Sequence, residues 1–157
     1  MYKRILVPVD GSRTSTLGLQ EAIRLAKSCK AKLRLIHVVD ESVALQDSNY
    51  AFGTEDILGI LKKNGEQSLK RARDRVGKYG IKAESSLIES FTGRVADIIV
   101  SDAKKWRADL IVMGTHGRRG FSHMVLGSDA ELVIRSTPVP VLLVRGSLPA
   151  KRKRAKK

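Results

Sequence analysis

The chain has 157 residues, 42% of them apolar, a length and composition suited to one globular domain with a continuous core. No stretch approaches the roughly 20 uninterrupted apolar residues of a membrane-spanning helix, and the opening Met1 to Pro8 is too short in its apolar part for a signal peptide, so a cytoplasmic protein is expected. The net charge of +14 and the single cysteine, Cys29, exclude an acidic binding module and an internal disulfide framework.

Strand-length apolar runs recur at Ile5–Val9, Leu33–Val39, Leu110–Met113 and Val139–Val144, with a weaker alternating run at Ala83–Ile88. Helical spacing fills the intervals. Leu19, Ala22, Ile23 and Ala26 keep one face, Leu58, Leu61, Leu69, Ala72 and Val76 a second, and Val95, Ile98, Ile99 and Trp106 a third. A fourth helix is expected from Ser128 to the stop at Thr137-Pro138-Val139-Pro140; Lys78-Tyr79-Gly80 closes the second helix and Thr92-Gly93 precedes the third. Alternating strands and helices, with several strands apolar on both faces, predict an α/β fold: a single-domain, open, five-stranded parallel sheet with four helices covering both faces. Cys29 falls in the first helix beside Ala26 and is read as a small packing side chain.

The first strand ends in Val9-Asp10-Gly11-Ser12, at the edge where ligands enter open α/β sheets. Asp10 there either accepts from ribose or adenine donors, holds a divalent cation that bridges to phosphates, or serves as a turn carboxylate. His37-Val38-Val39-Asp40 ends the second strand; the main chain of Val38 is suited to reading a base edge, and His37 to a place in the core. The irregular segment from Asp40 to Gly53 reads as a loop able to close over a ligand, or as a solvated connector.

The most informative segment follows the fourth strand. Gly114-Thr115-His116-Gly117-Arg118-Arg119-Gly120, with Gly127-Ser128 beyond it, spells G-x2-G-x9-G-S. Glycines leaving a buried strand bring main-chain N–H groups close to a ligand, and a helix starting at Ser128 attracts anions to its amino end. Phosphate is the expected occupant. Arg118 or Arg119 can pair with phosphate oxygens, or both are solvated loop charges. Ser128-Asp129-Ala130-Glu131 fits a capping box, with Ser128 as the cap. Asp129 is expected to face away from the phosphates or to share a cation with them. The histidines His116 and His123 lack zinc-site spacing, and no structural metal is assigned. The Walker, Rossmann and G-x-S-x-G patterns are missing.

Six positive charges sit in the last seven residues, leaving +8 for the body. The expected division is a domain over 1–146 and a basic tail over 147–157, disordered or loosely attracted to nucleic acid or anionic surfaces. Seven aromatic residues, none in the tail, do not supply a stacking platform for single strands.

Together the opening Ile-Leu-Val-Pro-Val-Asp-Gly-Ser, the His-Val-Val-Asp run, Ala108-Asp109-Leu110-Ile111-Val112-Met113-Gly114, the glycine signature and the closing Pro-Val-Pro-Val-Leu-Leu-Val resemble the universal stress protein family over residues 2 to about 145. The resemblance implies the fold of the adenine nucleotide alpha hydrolase-like group and binding of ATP, or of AMP or ADP, with Mg²⁺ or Mn²⁺ as a companion. Carried over by position, it implies that Pro8, Val9 and Asp10 line the adenosine pocket and that Val38 contacts adenine through its main chain. Met113 and Gly114 border the ribose; Gly117, Arg118, Gly127, Ser128 and Asp129 surround the phosphates, with His116 a further candidate contact inside the loop. It further implies a homodimer through the last strand, Val141–Val144. The reading is a stress-response or signalling module regulated by nucleotide occupancy; without an arginine finger or Walker lysine, hydrolysis is expected to be slow or nil. A slow ATP-hydrolysing enzyme and a basic nucleic-acid-associated protein are the alternatives.

Overall fold

The computed structural model describes residues 1–42, 54–91, 93–115 and 126–146, and for 54–56 the backbone alone. Its elements in chain order are β1 (Arg4–Pro8), α1 (Arg13–Cys29), β2 (Lys32–Asp40), α2 (Thr54–Gly77), β3 (Ala83–Ser90), α3 (Val95–Lys105), β4 (Leu110–Gly114), α4 (Ser128–Ser136) and β5 (Val141–Val144). The five strands form one sheet in the order β3-β2-β1-β4-β5, every neighbouring pair parallel. This is the predicted architecture. The tail and most of the segment from Asp40 to Gly53 lie outside the described residues; Asp40 itself completes β2, with Glu41 and Ser42 in the turn beyond.

The centre of the sheet explains the apolar runs. Ile5, Leu6 and Val7 of β1 have no exposed surface, so both faces of this strand must be covered. Ile5 and Val7 pack with Leu19, Ile23 and Ala26 of α1 and Leu69 and Val76 of α2. Leu6 packs with Ile99 and Ala103 of α3 and Val133 of α4. Helices α1 and α2 thus cover one face, α3 and α4 the other. Cys29 packs at the border of the first layer, as its sequence setting suggests.

Two helix-to-sheet contacts depend on a missing side chain. Gly65 lets α2 approach the sheet: a Cβ there would lie 2.6 Å from Leu87 Cδ1 and 2.7 Å from His37 Cδ2. At the end of β4, Gly114 does the same for α1, because its Cβ would meet the Thr14 main chain at 2.7 Å.

Polar contacts fasten the amino edge of the sheet. Asp109 accepts from the main-chain amides of Lys3 and Arg4, at 2.7 and 3.0 Å, which ties the start of β1 to the entry of β4. Arg34 of β2 donates two parallel hydrogen bonds to Asp102 of α3, at 2.7 and 2.9 Å. The Trp106 indole donates to Glu84 of β3 and lies under the Arg4 guanidinium. Among the described residues no helix is long and apolar enough to cross a membrane.

Candidate functional site

β1 is where the connections change direction. β2 and β3 lie to one side of it, β4 and β5 to the other, so the crossover helices on opposite faces leave a crevice at the carboxyl ends of β1 and β4. Pairing between β1 and β4 covers Ile5–Leu110 and Leu6–Ile111, whereas β1 stays in register with β2 as far as Pro8–Ile36. A cavity of about 530 Å³ occupies this edge, bordered by the ends of β1, β2 and β4 and by the starts of α3 and α4. That volume suits a small-molecule ligand.

The β1 wall is built by local turn chemistry. Asp10 Oδ1 accepts from the Ser12 amide at 2.8 Å, and Ser12 Oγ accepts from the Ser15 amide at 3.1 Å as the cap of α1. Gly11 takes φ +81, which a side chain would resist. Ser15 Oγ accepts from the Asp10 amide, so the first turn of α1 holds Asp10 at the rim. The turn role foreseen for Asp10 is thus present for one carboxylate oxygen. Pro8, Val9 and Asp10 all line the cavity.

On the β2 side, His37 is 6% exposed and Nδ1 lies 2.7 Å from the Val9 carbonyl, which places the proton on that nitrogen as donor. It is a core histidine, as expected. Ile36 accepts from the Val9 amide. Peptide groups alternate sides along a parallel strand, so those of Val38 face the same way as those of Ile36. They lie past the last β1–β2 pair and at the cavity wall, where a ligand edge can meet main-chain groups.

The end of β4 supplies Met113 and Gly114. Thr115 then donates its amide to the Val144 carbonyl at 3.1 Å and accepts from the Gly127 amide at 2.8 Å. The second bond pinches together the stems of the glycine-rich loop, and the first ties the end of β4 to β5. His116, Gly117, Arg118 and Arg119 of that loop lie outside the described residues.

Gly127, Ser128 and Asp129 also line the cavity, at the amino end of α4. The capping expectation is corrected by one residue: Gly127, in extended conformation at φ −62 and ψ 145, is the cap and makes no side-chain cap bond. Ser128 is already helical. Glu131 does not reach back; its carboxylate pairs with Arg135 at 2.8 Å, one turn on. The shift follows from the pinch, since Thr115 fixes Gly127 at the point where the chain enters the helix. Within α4 the amide of Glu131 is the first to find a carbonyl, that of Gly127, so the three preceding amides have no acceptor in the helix. They sit at the positive end of the helix dipole, against the cavity.

Pro8, Val9, Asp10, Val38, Met113, Gly114, Gly127, Ser128 and Asp129, the described residues among those the sequence reading singled out, all line this one cavity. That reading omits Arg94, the cap residue of α3, whose Nε donates to Asp97 and which lies at the cavity wall opposite Asp10, Asp40 and Asp129 in charge. It also omits Ser15, Thr115, Leu61 and Leu132, brought there by tertiary packing. Among the described residues no three His, Cys, Asp or Glu side chains gather to hold a metal ion.

Just beyond Asp40, Glu41 is 2% exposed, and among the described residues neither carboxylate oxygen has a hydrogen-bond partner. Burial pushes its carboxyl above the ordinary glutamate range, and neighbouring Glu89 pushes it further. Glu89 itself is held low by a 2.9 Å ion pair with Lys62 of α2.

Residues 1–145 match the model of the universal stress protein family. Universal stress protein MJ0531 of Methanocaldococcus jannaschii is 38% identical over 148 residues, covering 92% of this chain and 83% of the relative. The solved structure of MJ0577, a universal stress protein of the same organism, superposes with a TM-score of 0.82 at 26% identity, over 95% of this chain and 99% of that one. A universal stress protein crystallised in complex with cAMP superposes at 0.65 and 25% identity, over 93% and 98%. With the parallel five-stranded sheet and the match along nearly the whole described length, the conclusion is that this chain belongs to the universal stress protein family.

Proposed function

We propose that the cavity at the carboxyl edge holds an adenine nucleotide, ATP or its di- or monophosphate, and that the protein acts in stress response or signalling through occupancy of that site. The observation that carries the reading is one continuous cavity with Val38 at one wall and the amino end of α4 at another. A base edge fits the first and phosphate oxygens the second. Met113 and Gly114 line the same cavity and suit the ribose. The family member crystallised with cAMP supports an adenine nucleotide as the ligand class.

His116, Gly117 and Arg118 are proposed to complete the phosphate seat from the loop whose stems Thr115 and Gly127 join. Asp10 is the carboxylate suited to a Mg²⁺ or Mn²⁺ ion that shares its remaining positions with phosphate oxygens and water, the usual arrangement for Mg²⁺ with nucleotides. Slow or no hydrolysis is proposed because the sequence carries no Walker lysine, Asp10 and His116 being the residues that could activate water. The protein is proposed to work in the cytoplasm as a homodimer through β5, an edge strand whose four residues are all half-buried in the single chain. Sedimentation of the purified protein as a monomer at micromolar concentration would remove the dimer from this reading.

The functional test is chemical. Freshly purified protein is denatured and the released small molecule identified by mass spectrometry, then stripped protein is incubated with ATP, GTP and adenosine. Retention of adenine nucleotide in preference to GTP supports the proposal; protein that carries none and binds none refutes it.

A further inference from the structure

The positive charge of the body is concentrated. Between Lys62 and Lys82 eight lysines and arginines stand against only Glu66 and Asp74, a net +6 within 21 residues, most of the body's +8 excess. α2 shapes this charge into a surface. Its Leu69, Ala72 and Val76 are buried against the sheet, while Lys63, Lys70, Arg71 and Arg73 are exposed on the other side, followed by Lys78 and Lys82.

Helical spacing puts Lys63, Lys70 and Arg73, at i, i+7 and i+10, along one stripe. They border an open groove of about 560 Å³ whose far wall is Ser85 and Leu87 of β3, an edge strand of the sheet. Arg73 Nη1 donates to Ser85 Oγ at 2.8 Å, which holds the guanidinium over that edge. Lys70 pairs with Asp74 at 2.9 Å, on a surface where both remain largely exposed. The Asp74 carboxyl is held below its ordinary value first by that bond, with Arg73 and Lys78 adding to the pull of Lys70. One carboxylate therefore sits in the field of several cations. The acidic side chain of β3 nearest in sequence, Glu84, is engaged elsewhere with Arg34 and Trp106.

We propose that this face of α2 and the turn after it, from Lys63 to Lys82, binds the phosphate backbone of duplex nucleic acid without reading its sequence. The stretch from Lys63 to Arg75 runs about 18 Å along the helix axis, and a duplex presents one phosphate about every 1.7 Å of its own axis, so several cations meet phosphates at once. A single strand would need stacking aromatics, and of this stretch only Tyr79 is aromatic, already faced by Lys27. A membrane surface would need an apolar wedge along the same stripe, where the exposed residues from Lys63 to Asp74 are cations, Gln67, Glu66 and Asp74. The face is separate from the cavity, and the proposal stands whether or not nucleotide occupies it.

The test uses the full chain and fluorescence anisotropy with a labelled 20-base-pair duplex at several KCl concentrations. Lys63→Gln with Lys70→Gln is compared with Lys104→Gln with Lys105→Gln, an equal charge loss at the end of α3, after circular dichroism shows all three proteins folded. The proposal expects the first pair to lower the slope of log K against log salt by about two, roughly 0.9 per lost contact, and the second pair to leave it unchanged. Equal losses in both pairs would mean attraction by net charge alone, and no loss in either would place any binding elsewhere; both overturn the proposal. Tighter binding to phosphatidylserine vesicles than to duplex, with the same loss in the first pair, would also overturn it in favour of a membrane surface.

Discussion

Gly114, at the end of β4, lies so close to Thr14, in the first turn of α1, that a Cβ on Gly114 would stand 2.7 Å from the Thr14 carbonyl carbon. Neither main chain can yield without moving its whole element. Gly114→Ala is therefore expected to destabilise the fold by about 1–3 kcal/mol, the usual range for overpacking, and to weaken ligand binding because Thr14 lies one residue from Ser15, which holds the Asp10 turn. Urea unfolding and nucleotide titration on the same preparation check both effects. A fully stable Gly114→Ala protein would contradict the packing role.

Ser128 is exposed and lines the cavity at the amino end of α4. If phosphates lie there, Ser128→Ala removes a charge-assisted hydrogen bond of roughly 1.5–3 kcal/mol, and the affinity for ATP falls at least tenfold. Adenosine, which lacks phosphate, should bind both proteins equally. Competition titrations with the two ligands make the comparison.

Glu41 gives a pH dependence with a defined sign. Its carboxyl is raised by burial and then by Glu89, so the folded state holds this proton more tightly than the unfolded chain. The group favours folding below the ordinary glutamate range, and that advantage is lost as the pH rises through the raised value. Lys62 opposes the shift through its charge but pairs directly with Glu89. Glu41→Gln is neutral at every pH. Its stability relative to the natural chain should rise from pH 4 to pH 8 in urea titrations, with little difference at the acid end. A constant difference across that range would show that the buried carboxyl does not titrate as described.

Asp109 accepts from two main-chain amides, those of Lys3 and Arg4, at the point where β1 begins. Asp109→Ala leaves both without this acceptor and should cost about 1–3 kcal/mol of stability. The cavity lies at the opposite edge of the sheet, so nucleotide affinity should be unchanged in protein that remains folded. Thermal unfolding paired with titration separates the two effects.

The order of strands and helices was legible because burial on both faces forces continuous apolar runs such as Ile5-Leu6-Val7, whereas one-sided burial forces helical spacing such as Leu69, Ala72 and Val76. Boundaries were less so. The last strand begins at Val141 and not at Val139, because the Val139 amide is used by Thr137 Oγ1 in the preceding turn. The helix start at Ser128 was legible, but its capping box was not: the cap is Gly127, fixed by its bond to Thr115, a tertiary contact that sequence spacing does not encode. Arg94 escaped notice for the same reason: nothing in its local sequence tells that α3 begins at the cavity wall. Glu41 read as a loop residue, and its burial depends on where β3 and α2 are packed.

The most direct test of the account is calorimetric titration of ATP into nucleotide-stripped protein, alongside Gly117→Val, which puts a branched side chain into the glycine signature. The account predicts one nucleotide bound per chain by the natural protein and no measurable binding by the variant. A stripped, folded natural chain that takes up no adenine nucleotide, or a Gly117→Val protein that binds as well as the natural one, would contradict it.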